Sequence, residues 1–352
     1  MPRKPRKHQG PRPRRPSRPA RRTAPRGRSP QPRPRQPAPQ APAPATAAPA
    51  GVLRRPAVSW FPGHMHKAAQ RLGREMQHID AVLELRDARL PATSGNPELE
   101  RLIGPRPRLL LLNKAALADP AATRAWQEHF ERQGLTALAL DADSGSGINL
   151  IFPPLRRLTA SWAERFRRRG MRPPHLRLMV VGMPNVGKST FINRLIHENR
   201  LKTAPLPGIT RTVSWVQLRG DILLMDTPGV MLPRIDDEAA AHRLGWIAAL
   251  PDAALGAEAL ALSLLAHLLP LTGARLAAHY GLAVPAANGP AEPTAWLEAF
   301  CRARGHLLPG GAPELHRAGA MLLVDFRAGK LGRFTLERPP GHALAPEGPA
   351  PT

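Results

Sequence analysis

The sequence predicts an α/β protein: a doubly wound, mostly parallel sheet, followed by an α-helical C-terminal part and preceded by a disordered basic arm. Three observations carry this reading. Strand-length segments at 81–85, 108–112, 135–140, 176–181, 213–218 and 222–225 are separated mostly by helix-period segments, the pattern of a crossover-connected sheet. A glycine loop over residues 182–190, Gly-Met-Pro-Asn-Val-Gly-Lys-Ser-Thr, joins one of these strands to a helix start. Beyond Val230 the strand pattern stops and only helical periods follow.

Composition sets the outer limits. At 352 residues the chain holds one large or two medium units plus a tail. Its net charge of +25 points to a polyanionic partner, of which nucleic acid is the commonest. Residues 1–55 contain 16 Lys/Arg and no Asp/Glu, which leaves +9 for the rest. A single cysteine, Cys301, excludes an intrachain disulfide and fits a reducing cytoplasm. No apolar stretch near the N-terminus reads as a secretory signal. The most apolar segment, 253–269, is interrupted by Glu258, Ser263 and His267, so it reads as a buried helix and not as a membrane span.

Residues 1–55 alternate Arg and Pro and lack any aromatic residue, so they cannot offset their ordering entropy by burial. They read as an RNA-binding arm acting through phosphate neutralisation, or as a solubilising extension. Their proline density argues against the amphipathic helix of a transit peptide. Order begins near Trp60-Phe61-Pro62-Gly63-His64-Met65. Ala68, Leu72 and Met76 place a helix over 66–78 with one buried and one basic face. Strand 81–85 ends at Asp87-Ala88-Arg89, and a short helix follows over 98–103. Strand 108–112 is capped by Asn113 and Lys114; in guanine-nucleotide sheets an N-K-x-D at such an end holds the base, but here the fourth position is Ala116. Asp119 caps a helix with Pro120 at its first position. Strand 135–140 runs into Asp141-Ala142-Asp143, and 154–169 reads as one helix with a basic end at Arg165, Arg167, Arg168 and Arg169.

The loop 182–190 has the spacing G-x-x-x-x-G-K-[ST]. Its glycines let successive N–H groups face phosphate oxygens, and the helix start adds unpaired donors. Asn185, Val186, Gly187, Lys188, Ser189 and Thr190 form the phosphate cradle, with Lys188 reaching the β- and γ-phosphates and the Ser189 hydroxyl ligating Mg²⁺. Further on, Thr210 completes a metal shell, Asp226 at a strand end holds Mg²⁺ through water, and Gly229 lets a backbone N–H approach the γ-phosphate. Helices follow over 237–248, 253–269, 273–280, 294–305 and 313–323, with a break at Pro270, and 325–333 reads as a basic extended segment. The base-reading strand precedes the phosphate and metal motifs, so the domain is circularly permuted, which a doubly wound sheet with neighbouring chain ends tolerates.

With these residues in view, the chain resembles the bacterial ribosome-assembly GTPases of the YlqF/RbgA family, in the wider group of circularly permuted GTPases. The likeness rests on Trp60 to Met65, Asp87 to Pro91 with Asn96-Pro97, Asn113-Lys114, the phosphate loop, Pro207 to Thr210, Asp226 to Gly229, and Gly329 to Gly332. It implies hydrolysis of GTP to GDP and phosphate, coupled to maturation of the large ribosomal subunit in the cytoplasm, with rRNA and ribosomal proteins as partners and neither membrane nor DNA. It also implies that His64 orients the attacking water, because Val230 stands where a water-orienting Gln is often found nearby. The likeness to potassium-activated GTPases adds K⁺ at Asn185. Catalytic roles fall on His64, Lys188 and Thr210. The expected division is an arm over 1–57, the GTPase domain over 58–235, a helical RNA- or ribosome-binding domain over 236–338 and a tail over 339–352.

Two other readings stay open on the residues: a nucleotide-gated RNA-binding scaffold with little turnover, and a P-loop ATPase or kinase, which Ala116 keeps alive. Without a carboxylate at position 116 the protein is expected to bind guanine nucleotides weakly and with moderate selectivity. Asp119, Asp141 or Asp143 could supply the missing acceptor.

Overall fold

The computed structural model describes residues 72–199, 215–218, 221–225, 235, 237–282 and 292–341. The N-terminal arm and the loops carrying His64, Thr210, Asp226 and Gly229 lie outside the described residues.

Among the described residues six strands form one sheet: β1 (Ala81–Asp87), β2 (Arg108–Asn113), β3 (Thr136–Ala139), β4 (Leu176–Gly182), β5 (Trp215–Leu218) and β6 (Ile222–Met225). Their order is β3-β2-β1-β4-β6-β5. All neighbours are parallel except the edge pair β5–β6. The order runs outward one way from β1 and the other way from β4. The crevice at the carboxyl ends of these two strands is therefore the topological switch point, where open α/β sheets bind ligands.

Helical residues 72–76 (α1) precede β1. The helices between the strands are α2 (Pro97–Ile103), α3 (Pro120–Arg132), α4 (Phe152–Leu158), α5 (Ala160–Arg167) and α6 (Lys188–Asn199). After the sheet come α7 (Glu238–Trp246), α8 (Ala257–Tyr280), α9 (Pro293–Arg304) and α10 (Leu315–Arg327). Local chemistry sets several boundaries as expected. Asn96 accepts from the N–H groups of Glu98 and Leu99 at the start of α2. Asp119 does the same for Ala121 and Ala122 at α3.

Alternation along β1 separates two cores. Leu83 and Leu85 join a cluster that runs through Val180 and Phe191 into Leu264, Leu268, Leu322 and Phe326 of the later helices. Val82 faces the other side with Leu72, Met76, Ile103 and Val181. Among the described residues α8 is the one helix long and apolar enough to cross a membrane, and Leu260, Leu264, Leu265 and Leu268 bury it in the first cluster.

Two expectations are corrected and one is borne out nearby. The helix read over 154–169 is two helices that meet at Thr159 (φ −98°, ψ 5°), whose hydroxyl donates back to the Leu155 carbonyl at 2.8 Å. The break expected at Pro270 is present as a kink two residues on, at Thr272 (φ −147°, ψ 22°), where two helical runs join within α8, and Leu268, Leu276 and Tyr280 on both sides are buried. The segment read as extended from Asp325 begins inside α10; the buried Asp325 accepts from the Tyr280 hydroxyl (3.1 Å) and Lys330 (2.8 Å), and the chain turns only at Gly329.

From Arg333 to Arg338 the chain returns over the sheet as a strap. Arg333 donates to the carbonyls of Ala115 and Ala118, and the Phe334 N–H to that of Leu117. Leu336 donates to the Arg89 carbonyl, and Arg338 pairs with Asp119 at 3.0 Å. The Glu337 carboxylate accepts from the N–H groups of Ala92 and Thr93 and from the Thr93 hydroxyl. Glu337→Ala leaves these donors without their acceptor and is expected to cost about 1–3 kcal/mol, read from urea unfolding. An unchanged midpoint would remove the strap from the stability of the sheet.

Candidate nucleotide site

The phosphate loop is seated by two close approaches. β4 ends at Gly182 (φ 150°), where a Cβ would stand 2.3 Å from the Leu85 carbonyl oxygen of β1. At Gly187 (φ 93°) a Cβ would stand 2.3 Å from Asn113 Nδ2. Only glycine fits either place, so the loop lies against the ends of β1 and β2, and α6 starts at Lys188 with its free N–H groups at the crevice. A cavity of about 580 Å³ opens there. Lys114, Asn185, Gly187, Lys188, Ser189 and Thr190, all singled out from the sequence, line it.

Base loop and phosphate loop are joined directly. Asn113 Nδ2 donates to the Val186 carbonyl at 2.7 Å, and its Oδ1 accepts from the Ala142 N–H at 2.9 Å. Lys114, in the left-handed region (φ 60°), donates to the Asn185 carbonyl at 2.6 Å and stands 3.3 Å from Asp87 Oδ2. Burial alone would raise the Asp87 carboxyl. The guanidinium of Arg89, with Lys114 behind it, overrides that and holds it at about 2. Lys188 is buried and donates to the Met183 carbonyl at 2.5 Å. Burial pushes its ammonium down to about 8, because the charged form loses its hydration.

The cavity also holds residues to which the sequence reading gave no site role. Arg89 is 2% exposed and binds Asp87 through Nε (2.9 Å) and Nη2 (2.8 Å). Its Nη1 has no hydrogen-bond partner among the described residues, and its Cζ lies 5.5 Å from the Phe326 ring centre. The later helices contribute Ile247, Ala248 and Arg327. Arg327 caps α7 through the Gly245 and Trp246 carbonyls and pairs with Asp252. Asn185, itself at φ 57°, donates its side-chain amide to the Ala248 carbonyl at 2.6 Å. Arg89 stands in the Asp87-Ala-Arg89 strand end read from the sequence; Arg327 and Ala248 carry no local signal, because only the tertiary fold brings them in.

Of the expected metal ligands, Ser189 lines the cavity, while Thr210 and Asp226 lie outside the described residues, as do Gly229 and His64, for which a catalytic role was expected. Among the described residues no group of three or more His, Cys, Asp or Glu could hold a metal by itself.

At the base end, Ala116 lies exposed in a single 3₁₀ turn, Ala115–Leu117. Asp119 is not free to replace the missing carboxylate. Its oxygens cap α3 and pair with Arg338, and these bonds outweigh the rise that burial would impose on its carboxyl. Asp141 Oδ2 lies 3.4 Å from the Ala116 nitrogen, while Asp143 is exposed.

A family model described as 50S ribosome-binding GTPase matches residues 177–266. Ribosome biogenesis GTPase A of Bacillus pumilus is 36% identical over 282 residues, covering 80% of this chain and 99% of that one. The Thermotoga maritima protein of the same name is 28% identical over 287 residues, covering 80% and 95%. Two solved structures are similar. GDP-bound YlqF aligns with a TM-score of 0.54 and 26% identity over 76% of this chain and 99% of that one. GNP-bound YlqF from T. maritima aligns with 0.53 and 25%, over 78% and 99%.

The state of Lys188 gives a pH prediction. Its folded value of about 8 lies below the ordinary 10.5, so above pH 8 the free site loses the proton that bound phosphates require. Nucleotide binding then takes up a proton, and affinity should fall by up to about tenfold per pH unit above 8 while staying flat below it. Titration of a fluorescent GDP between about pH 7 and pH 9.5 reads this, and Lys188→Arg should abolish the slope. A flat wild-type profile would show that Lys188 does not face the phosphates.

Proposed function

The chain belongs to the ribosome biogenesis GTPase A family, a circularly permuted GTP-hydrolysing P-loop enzyme, and on that premise we propose that it matures the large ribosomal subunit by binding rRNA in a nucleotide-dependent way. The observation that carries this reading is the joining of base loop and phosphate loop, Asn113 to Val186 and Lys114 to Asn185, around a buried, phosphate-ready Lys188. Ribosomal proteins complete the partner surface, and the single buried cysteine fits work in the cytoplasm.

In this mechanism the phosphate-loop N–H groups and Lys188 hold the β- and γ-phosphates, and Asn113 and Lys114 fix the base end. Ser189 fits a Mg²⁺ ion, with Thr210 and Asp226 as its further ligands. The ion, when bound, neutralises charge that develops on the transferred phosphoryl oxygens. K⁺ at Asn185 would use the amide oxygen, since the amide nitrogen is given to Ala248. His64 orients the attacking water. We divide the chain into an arm (1–57), a nucleotide-binding part (58–235), a helical ribosome-binding part (236–338) and a tail (339–352).

Charge supports RNA as a partner and indicates where it docks. Residues 151–180 contain eight Arg and one Glu, a net +7 out of the +9 carried beyond the arm, whereas 236–338 sum to −1. Arg156, Arg157, Arg165, Arg167, Arg168, Arg169 and Arg172 are exposed on and just after α4 and α5, over the buried Phe152 and Leu155. Glu164 pairs with Arg167 and Arg168. The other four arginines between 156 and 169 form no ion pair among the described residues. Such a face suits a phosphate backbone. The exposed Leu307 and Leu308 of the helical part suit contacts with protein or unstacked bases.

Two measurements test the proposal. His64→Ala should lower GTP turnover about 10–10³-fold with GDP affinity retained, as for a contact made in the transition state; matched loss of affinity would make His64 structural, and no turnover by wild type with or without large subunits would leave only a nucleotide-gated scaffold. Replacing Arg156, Arg157, Arg165 and Arg169 together by Gln should reduce the salt slope of binding to a large-subunit rRNA transcript by about 3, with basal turnover intact. An unchanged slope would clear α4 and α5 of any part in RNA binding.

A further inference from the structure

We propose that Asp141 reads the guanine base in place of the carboxylate that Ala116 lacks. The inference rests on guanine-nucleotide binding at this site and names the group that selects the base there.

A carboxylate selects guanine because it accepts from both N1–H and the exocyclic amine, whereas adenine offers no such pair of donors. The chain must present that acceptor beside Asn113 and Lys114. β2 and β3 are parallel neighbours, with Leu112 opposite Ala139, so the loops leaving them emerge side by side. They are also bonded to each other. The Ala115 N–H donates to the Leu140 carbonyl at 3.1 Å, and the Ala142 N–H to Asn113 Oδ1 at 2.9 Å. Position 141 is therefore fixed next to position 116.

Three carboxylates lie near enough in sequence, and two are unsuited. Asp119 is consumed by the α3 cap and by Arg338. Asp143 stands exposed on the turn, where only its backbone carbonyl is held, by Arg194. Asp141 is 8% exposed and held in position. Its Oδ1 takes the Ser144 N–H at 2.9 Å and the Ser144 hydroxyl at 3.0 Å. Its backbone closes the turn, donating to the Ser146 carbonyl and accepting from the Gly145 N–H, both at 2.9 Å. Oδ2 has only the long 3.4 Å contact with the Ala116 N–H. A carboxylate oxygen has two lone-pair sites, so Oδ2 keeps acceptor capacity beside the Ala116 N–H. The Ala116 methyl puts no polar group in its way. One oxygen is spent on orientation and the other is left for the ligand, the arrangement that selects by leaving a buried acceptor unmet when the wrong base enters.

The test is calorimetric binding of GDP, ADP and XDP to the full-length protein. Wild type should prefer GDP. Asp141→Asn keeps an oxygen for Ser144 but turns one acceptor into a donor, which matches the C2 carbonyl of xanthine. It should lose about 10–100-fold in GDP affinity and gain a similar factor for XDP, with ADP unmoved. A gain for XDP cannot arise from loss of folding. Combining Ala116→Asp with Asp141→Ser should return the preference to GDP. An unaltered GDP-to-XDP ratio in Asp141→Asn overturns the assignment, and so does a shift produced by Asp143→Asn instead. If wild type fails to prefer GDP over ADP, guanine recognition itself fails and the role of Asp141 with it.

Discussion

One buried carboxylate at the end of β1 holds the working end of the sheet together. Asp87 has no exposed surface, and burial by itself would favour its neutral form. Two cations reverse this: Arg89 through two hydrogen bonds, and Lys114 at 3.3 Å. Lys114 then reaches the phosphate loop at Asn185, while Arg89 lies over Phe326 of α10 and its carbonyl takes the strap at Leu336. The base loop, the phosphate loop and the C-terminal strap thus depend on the same charge. Because the folded carboxyl titrates below its ordinary 3.8, this stabilisation is complete above that value and is lost as pH falls through about 2. The balance of two cations against one anion also leaves positive charge at the cavity rim, where phosphates are to bind.

Permutation changes what the phosphate site is attached to. In this strand order the helices after β6 follow the phosphate-binding half of the sheet, and they return to wall the cavity with Ile247, Ala248 and Arg327. Asn185 sits in the phosphate loop yet gives its amide to Ala248, a residue at φ 59° just past α7. Arg327 fixes that same turn by capping α7 and holding Asp252. A ligand that draws the Asn185 side chain toward itself competes with a bond to the helical part. Differential affinity of this kind is what a nucleotide needs in order to bias the position of a second element.

What the sequence made legible was local. Glycines at 182 and 187, the Lys188–Ser189 helix start, and the Asp119–Pro120 cap each follow from chemistry within a few residues, and each stands as read. The errors came where tertiary burial overrode a local signal. Asp325 to Arg327 read as the start of an extended segment, until a buried carboxylate bonded to Tyr280 is seen to keep them helical. Arg327 and Ala248 carry no signal in sequence, because they reach the cavity from more than fifty residues beyond the phosphate loop. The residues expected to perform the chemistry, His64, Thr210 and Asp226, lie outside the described residues.

The distribution of charge bears on how such a protein could respond to RNA. The later helices carry a net −1, whereas residues 151–180 carry +7 of the charge beyond the arm. These two short helices are the covalent join between the base-reading strands β1–β3 and the phosphate strand β4, a join that exists only because the domain is permuted. Phe152 and Leu155 anchor α4 in the main core with Ile148 and Ile151, directly after the turn that holds Asp141. Phosphates gathered on this face would therefore press on the element that sets one half of the nucleotide site against the other, at the end where the base is held. The loop that precedes it is also tied to the phosphate helix, through Asn149 to Glu198 and through Arg194 to the Asp143 carbonyl. An RNA on α4 and α5 would thus reach the cavity through the turn at Asp141 and through α6, whereas the helical part meets it directly at Ala248 and Arg327.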